Sequence, residues 1–259
     1  MSHRPRPSFN FHAEGHAFSA EIRRPVPQHI PALAATSLPT IGGHAHHRIE
    51  DYDVPRIISF KAAHTHVSGS FVEGKDGVVA TTHATTSIEG YNLLDFVTAD
   101  RITARLTSEH KVGDLEGHII ALGSTFDNLK IGGYPVTVKL RHDLFLDCKT
   151  HGELVNKIAS DEKNGRIAAT KGGLSLCSLV EEIITDFPGL TPADKKKHIL
   201  RIPHFGTIAF AEVLSEEGTK TLTMLRFELG CPDELTGTTA QTRTNGQYPP
   251  PVPGGDSGN

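Results

Sequence analysis

A chain of 259 residues with a formal net charge of −4 is long enough to bury one sizeable core, and it lacks the basic excess that a general nucleic-acid binder needs to neutralise phosphates. No window approaches the ~20 apolar residues of a membrane helix. The three cysteines, Cys148, Cys177 and Cys231, are too few and too widely spaced for a disulfide framework or a zinc knuckle; each sits among apolar residues and reads as a buried thiol in a reducing compartment.

Composition points to strands. With 25 Gly, 16 Pro and Thr throughout, the chain reads as many short strands joined by turns. The outlying feature is 16 His against no Trp and 2 Met. Imidazoles titrate near pH ~6.5, so complete protonation of those 16 histidines would carry the formal charge from −4 to +12. Solubility and self-association are therefore expected to respond to mild acid.

In chain order, residues 1–16 are polar and rich in His and Pro, with no apolar stretch of signal-peptide length behind Met1. They are expected to form a flexible tail, and the chain to be cytoplasmic. A β-rich domain is expected over 17–232. Within it, Val67, Gly69 and Phe71 alternate with Ser68 and Ser70. Ile102, Ala104 and Leu106 alternate with Thr103, Arg105 and Thr107, and Val136, Val138 and Leu140 with Thr137, Lys139 and Arg141. Each pattern is a strand with one buried and one wet face. Glu73-Gly74-Lys75-Asp76-Gly77 signals a hairpin, Gly132-Gly133 closes a strand, and Ser215–Gly218 separates two more. About ten strands result, and a single-domain antiparallel sandwich or barrel hides their edges most economically, with a β-solenoid as the alternative.

Two short helices interrupt the strands. Thr150-His151-Gly152-Glu153 has capping-box spacing ahead of an apolar stripe at Leu154, Val155, Ile158 and Ala159. Glu153 and Lys157 are placed for an i, i+4 pair, and Asn164-Gly165 for a stop. Thr191-Pro192-Ala193-Asp194 starts the second helix, followed by a solvated run, Lys195 to Lys197. Residues 233–259 end in a Pro/Gly-rich stretch that cannot offset its ordering entropy and reads as a disordered tail.

Catalytic signatures are missing: there is no GxGxxG, GxxxxGK[ST], HExxH, GxSxG or CxxC. Adjacent carboxylates such as Glu181/Glu182 and Glu216/Glu217 read as solubilising. The histidines remain. His64 and His66 share one face of a strand entering the hairpin at 74–77, and an even-length loop puts His83 of the returning strand on that face too. Imidazoles on adjacent strands commonly hold zinc, copper or non-haem iron, so His64, His66 and His83 form one candidate divalent-metal set. His44, His46 and Glu50 form the alternative. Their HxH with a following Glu resembles the first metal motif of cupins, although the flanking glycines and the second motif of that family are missing. The cupin likeness implies an oxygenase or isomerase.

The segment Ala80-Thr81-Thr82-His83-Ala84-Thr85-Thr86-Ser87-Ile88 through Phe96–Ala104 resembles the domain of choice-of-anchor P proteins, and the likeness continues over Gly123–Gly133. That family consists of bacterial β-rich surface proteins of unassigned activity. The resemblance covers 80–140, and 17–232 more loosely. It implies a β-rich, non-catalytic, assembling protein with no catalytic residues to carry over. Here the chain departs from the family in lacking a secretion signal and sorting tail and in having a helix near 151–163. The sequence thus leads to a non-enzymatic β-rich module that binds a protein partner or assembles with itself, with no resident cofactor and no nucleic-acid ligand. A His-ligated metalloprotein is the alternative.

Overall fold

Alternation at period two produces two antiparallel sheets that face one another. The computed structural model describes residues 8–23, 27–74, 77–114, 116–148, 150–162, 169–171, 174–190, 198–216, 218–230 and 235–247. In spatial order, the first sheet runs β12 (Ala169–Lys171), β13 (Leu174–Ser178), β16 (Gly206–Glu216), β17 (Thr219–Leu229), β18 (Leu235–Gln247), β1 (Asn10–Ile22) and β2 (Gln28–Leu33). Onto it pair β15 (Ile199–Ile202), beside β16, and β3 (Thr36–Ser37), beside β1. The second runs β14 (Val180–Thr185), β11 (Tyr134–Leu140), β10 (Lys130–Ile131), β7 (Val97–Lys111), β6 (Gly77–Leu93), β5 (Ile58–Gly74) and β4 (Gly43–Val54). β8 (His118–Ile120) and β9 (Thr125–Asp127) add to β7. The protein is a mainly β sandwich. Neither sheet closes into a barrel, and the stacked coils of a solenoid are absent among the described residues. Among the described residues the expected ten strands are eighteen, because several pieces of two to four residues carry too little pattern to be read from sequence.

The expected tails need correction. Residues 10–16 belong to β1 and 235–247 form β18, and the two strands pair from Asn10↔Gln247 to Ile22↔Leu235 in the middle of the first sheet. Thr, Gly and Asn in these segments look poorly suited to a core, but a central strand gains its order from neighbours on both sides. Residues 248–259 lie outside the described part.

Each long strand changes phase once. In β5, Ile58 and Phe60 point inward, then Ala63, Thr65 and Val67; in β7, Val97 and Ala99 give way to Ile102, Ala104 and Leu106. In β1 the change falls between Ala17 and Phe18. Pairing register is kept across each change, with Glu50↔Ala62 followed by Tyr52↔Phe60 and Phe210↔Leu225 followed by Glu212↔Thr223. On alternate strands the step falls at a single left-handed residue: Asp51 (φ 50°) in β4 and Gly90 (φ 63°) in β6 of the second sheet, Ala211 (φ 46°) in β16 and Ala240 (φ 49°) in β18 of the first. Tyr91, beside one bend, hydrogen-bonds Thr239, beside the other (3.1 Å), so the bends lie over one another.

The interior has two apolar parts with a threonine seam between them. The larger contains Phe18, Ile88, Ile102, Phe145, Phe210 and Phe227; the smaller gathers Phe9, Phe11, Leu38 and Val67. Between Ala63 and Val67 on β5 stands Thr65, and between Ala84 and Ile88 on β6 stands Thr86; their hydroxyls are 3.2 Å apart. Thr86 also donates to the Gln241 carbonyl at 3.2 Å. Gly15 faces this seam because a Cβ there would lie 2.6 Å from Thr86 Oγ1, so the sheets approach closely where hydroxyls replace aliphatic side chains.

The capping-box helix forms as expected: α2 (His151–Glu162) has the Glu153 amide donating to Thr150 Oγ1 (3.2 Å) and the Thr150 amide donating to Glu153 (3.3 Å). Lys157 reaches Asp147 of the short helix α1 (Leu144–Asp147) at 2.6 Å, where the i, i+4 geometry had placed Glu153. The second expected helix, from Thr191, its lysine run and the Asn164-Gly165 stop lie outside the described residues. Cys148 and Cys177 are buried free thiols, and burial pushes Cys177 up to about 12; Cys231 lies outside the described residues.

Candidate functional site

The outer face of the second sheet gathers the histidines. Register places Arg48, His64 and Ser87 in one row, His46, His66 and Thr85 in the next, and His44, Ser68 and His83 in a third. Directly opposed residues share a face, so His44, His46, His64, His66 and His83 all stand on it. His64, His66 and His83 share a face as hairpin parity requires. Sequence reasoning did not bring His44 and His46 onto the same face, because the turn at 55–57 sets that register. His66 is central: His46 lies across one strand boundary, and the His64 ring is 6.4 Å away with planes 18° apart.

His64 is lowered first by burial, then by the neighbouring charges of His66, Arg48 and His46, with Glu89 opposing. His83 is lowered by burial and Arg105, with Glu109 opposing and His66 adding a little; its Nδ1 is 2.9 Å from Thr107 Oγ1. Burial first, and neighbouring positive charge second, thus favour the uncharged forms of His64 and His83. Glu50, offered as a metal ligand with His44 and His46, instead accepts from Arg48 Nε and is 2.8 Å from its Nη2. Among the described residues no three His, Cys, Asp or Glu side chains converge on a point that could hold a metal ion. The two candidate sets therefore share a face without forming a coordination sphere.

β4, which carries part of this field, ends the second sheet. None of its twelve residues is buried. His47 points to the inner side and its Nδ1–H donates to the Ala35 carbonyl (3.1 Å), tying β4 to the crossover from the first sheet. Beyond that tie and the turn bond from the Ile57 amide to the Val54 carbonyl (2.9 Å), the backbone hydrogen bonds of β4 among the described residues run to β5.

Two polar clusters lie elsewhere and escaped the sequence reading. Glu212, on β16, receives both Arg226 Nε (2.6 Å) and Nη2 (2.9 Å) and sits 3.2 Å from His198 Nε2; Glu212 and His198 are almost wholly buried. Burial alone would raise the Glu212 carboxyl, but hydrogen bonds from His198 and Arg226 and their charges outweigh it and hold it at about 2. Lys220 points into the sandwich, 1% exposed, between Ser215 and Thr244 in the ladder. Burial lowers it, with Glu116, Cys177 and Cys148 opposing. Ser215 in turn lies 3.0 Å from His151 Nδ1. Isolated polar residues within strands carry no spacing signal, so these clusters had nothing to announce them.

Two cavities are bordered by charged side chains. One of about 460 Å³ lies on the first sheet beside Glu14, His16, Gln241 and Arg243, where Arg243 already pairs with Glu14 at 3.2 Å. Another, of about 410 Å³, follows the second-sheet bend past Lys61, Glu89, Asp100 and Arg101.

A family model described as a domain of unknown function, DUF8256, matches residues 9–165, more than half of the chain. The chain belongs to the DUF8256 family. No curated protein and no solved structure matches. The DUF8256 segment contains β1 to β11 and both helices, and hence every histidine of the outer field and all of β4. Glu212, Arg226 and Lys220 lie beyond it, as does β18, the strand that lies beside β1 in the first sheet. No helix among the described residues is long and apolar enough to cross a membrane.

Proposed function

We propose that this protein is a non-catalytic assembly module that associates with further copies of itself through the histidine-bearing outer face and open edge of its second sheet. The observation that carries this reading is β4, a twelve-residue terminal strand with no buried residue. An edge of that length offers unpaired N–H and C=O groups to another strand. The lack of any of the common catalytic sequence signatures accords with a binding role.

Light scattering over a concentration series at pH 7.5 and 5.5 tests the reading. The expected result is a mass above the 28.0 kDa of one chain at pH 7.5 that changes on acidification. A single-chain mass at every concentration and both pH values contradicts it, as does turnover of a small substrate that disappears on changing one polar residue. A second reading, divalent-metal capture by His64, His66 and His83 or by His44, His46 and Glu50, draws on the shared face of these residues. It requires side-chain rotation to bring three ligands together. Elemental analysis of untagged protein would show near-stoichiometric metal that is lost in His64→Ala/His66→Ala; metal-free wild-type protein ends that reading.

A further inference from the structure

Resting on the assembly reading, we infer that two copies pair β4 to β4 in antiparallel fashion about a two-fold axis at His47, joining their second sheets into one continuous sheet. The register follows from backbone geometry. β4 is regular only between two left-handed positions, Gly43 (φ 104°) and Asp51 (φ 50°), so the segment able to carry an unbroken ladder is residues 44–50. Its midpoint is His47. A two-fold axis perpendicular to the sheet makes the contact isologous and closes the assembly at a dimer.

That register brings complementary groups together. His44 faces the partner's Glu50 at both ends of the ladder, Ala45 faces the partner's Ile49, and His46 faces the partner's Arg48. The two outer faces become one field of ten histidines. His47 faces Thr65 of β5 and the Ala35 carbonyl, and meets its own copy across the axis.

Cysteine cross-linking reads the register. Opposed residues in an antiparallel pair have Cα atoms ~4.5–5.5 Å apart, within disulfide range. In a Cys231→Ser background, His47→Cys should give covalent dimers under mild oxidation at pH 7.5, and so should His44→Cys/Glu50→Cys. His44→Cys alone and Ile49→Cys alone should stay uncross-linked. Light scattering on the wild type is run beside them. Association of the wild type without cross-linking at His47, or with cross-linking at Ile49 instead, overturns this register while leaving the assembly reading in place. A wild type that stays a single chain overturns both.

Discussion

Arg48–Glu50 at the edge of the second sheet and Arg226–Glu212 within the first are the same chemical pair in two settings. The first has side chains 59% and 62% exposed, the second 35% and 5%. An exposed pair gains little over its hydrated separate ions, whereas a buried carboxylate whose cation is removed is left in a medium that cannot solvate it. The difference separates two jobs for charge in this fold. Interior charges link β16 to β17 and, through His198, the segment entering β15, whereas the edge pair of β4 stays in water.

The sharpest break in that comparison is Arg226→Ala, which strands Glu212 and should cost about 3–5 kcal/mol of unfolding free energy by urea denaturation. An effect below about 1 kcal/mol would mean that the interior pair is no different in kind from the edge pair. Acid should act on the same residue. A carboxyl held near 2 in the fold and near ~4.3 unfolded contributes stability that is complete above about pH 5. That contribution fades as pH falls toward 2 and amounts to roughly 3 kcal/mol at most. Glu212→Gln should flatten the acid limb of the stability profile; an unchanged limb would place the acid sensitivity elsewhere.

Lys220 sharpens the comparison from the other direction. Burial lowers its amine, so Lys220→Met should stabilise the protein by about 1–3 kcal/mol in the same assay, relieving a buried charge at little cost in volume. Destabilisation would show that the amine has a partner the fold depends on. Smallest is Arg48→Ala, expected within about 0.5 kcal/mol of wild type in stability, with its effect confined to association.

Between the bends the strand phases were legible in the sequence. Ile102, Ala104 and Leu106 are all fully buried, and the capping box at Thr150 is reciprocal in the fold. Bends were not legible, because Asp51, Ala211 and Ala240 take the left-handed conformation without being glycine; alignment across neighbouring strands holds them there, and sequence spacing does not record it. β1 and β18 were missed for a related reason: their order comes from each other. At the site, a hairpin of even length placed His64, His66 and His83 together, whereas His44 and His46 joined them through a separate turn and Glu50 was taken by Arg48.

Amide hydrogen exchange at low and high protein concentration, at pH 7.5, tests the assembly claim most directly by comparing the two ends of the second sheet. β14, six residues long with Val180, Ile183 and Thr185 buried, serves as the reference edge. Slower exchange over residues 44–50 at high concentration, with 180–185 unchanged, is the predicted result. Exchange in β4 that is independent of concentration, or protection that appears at β14 instead, would contradict it.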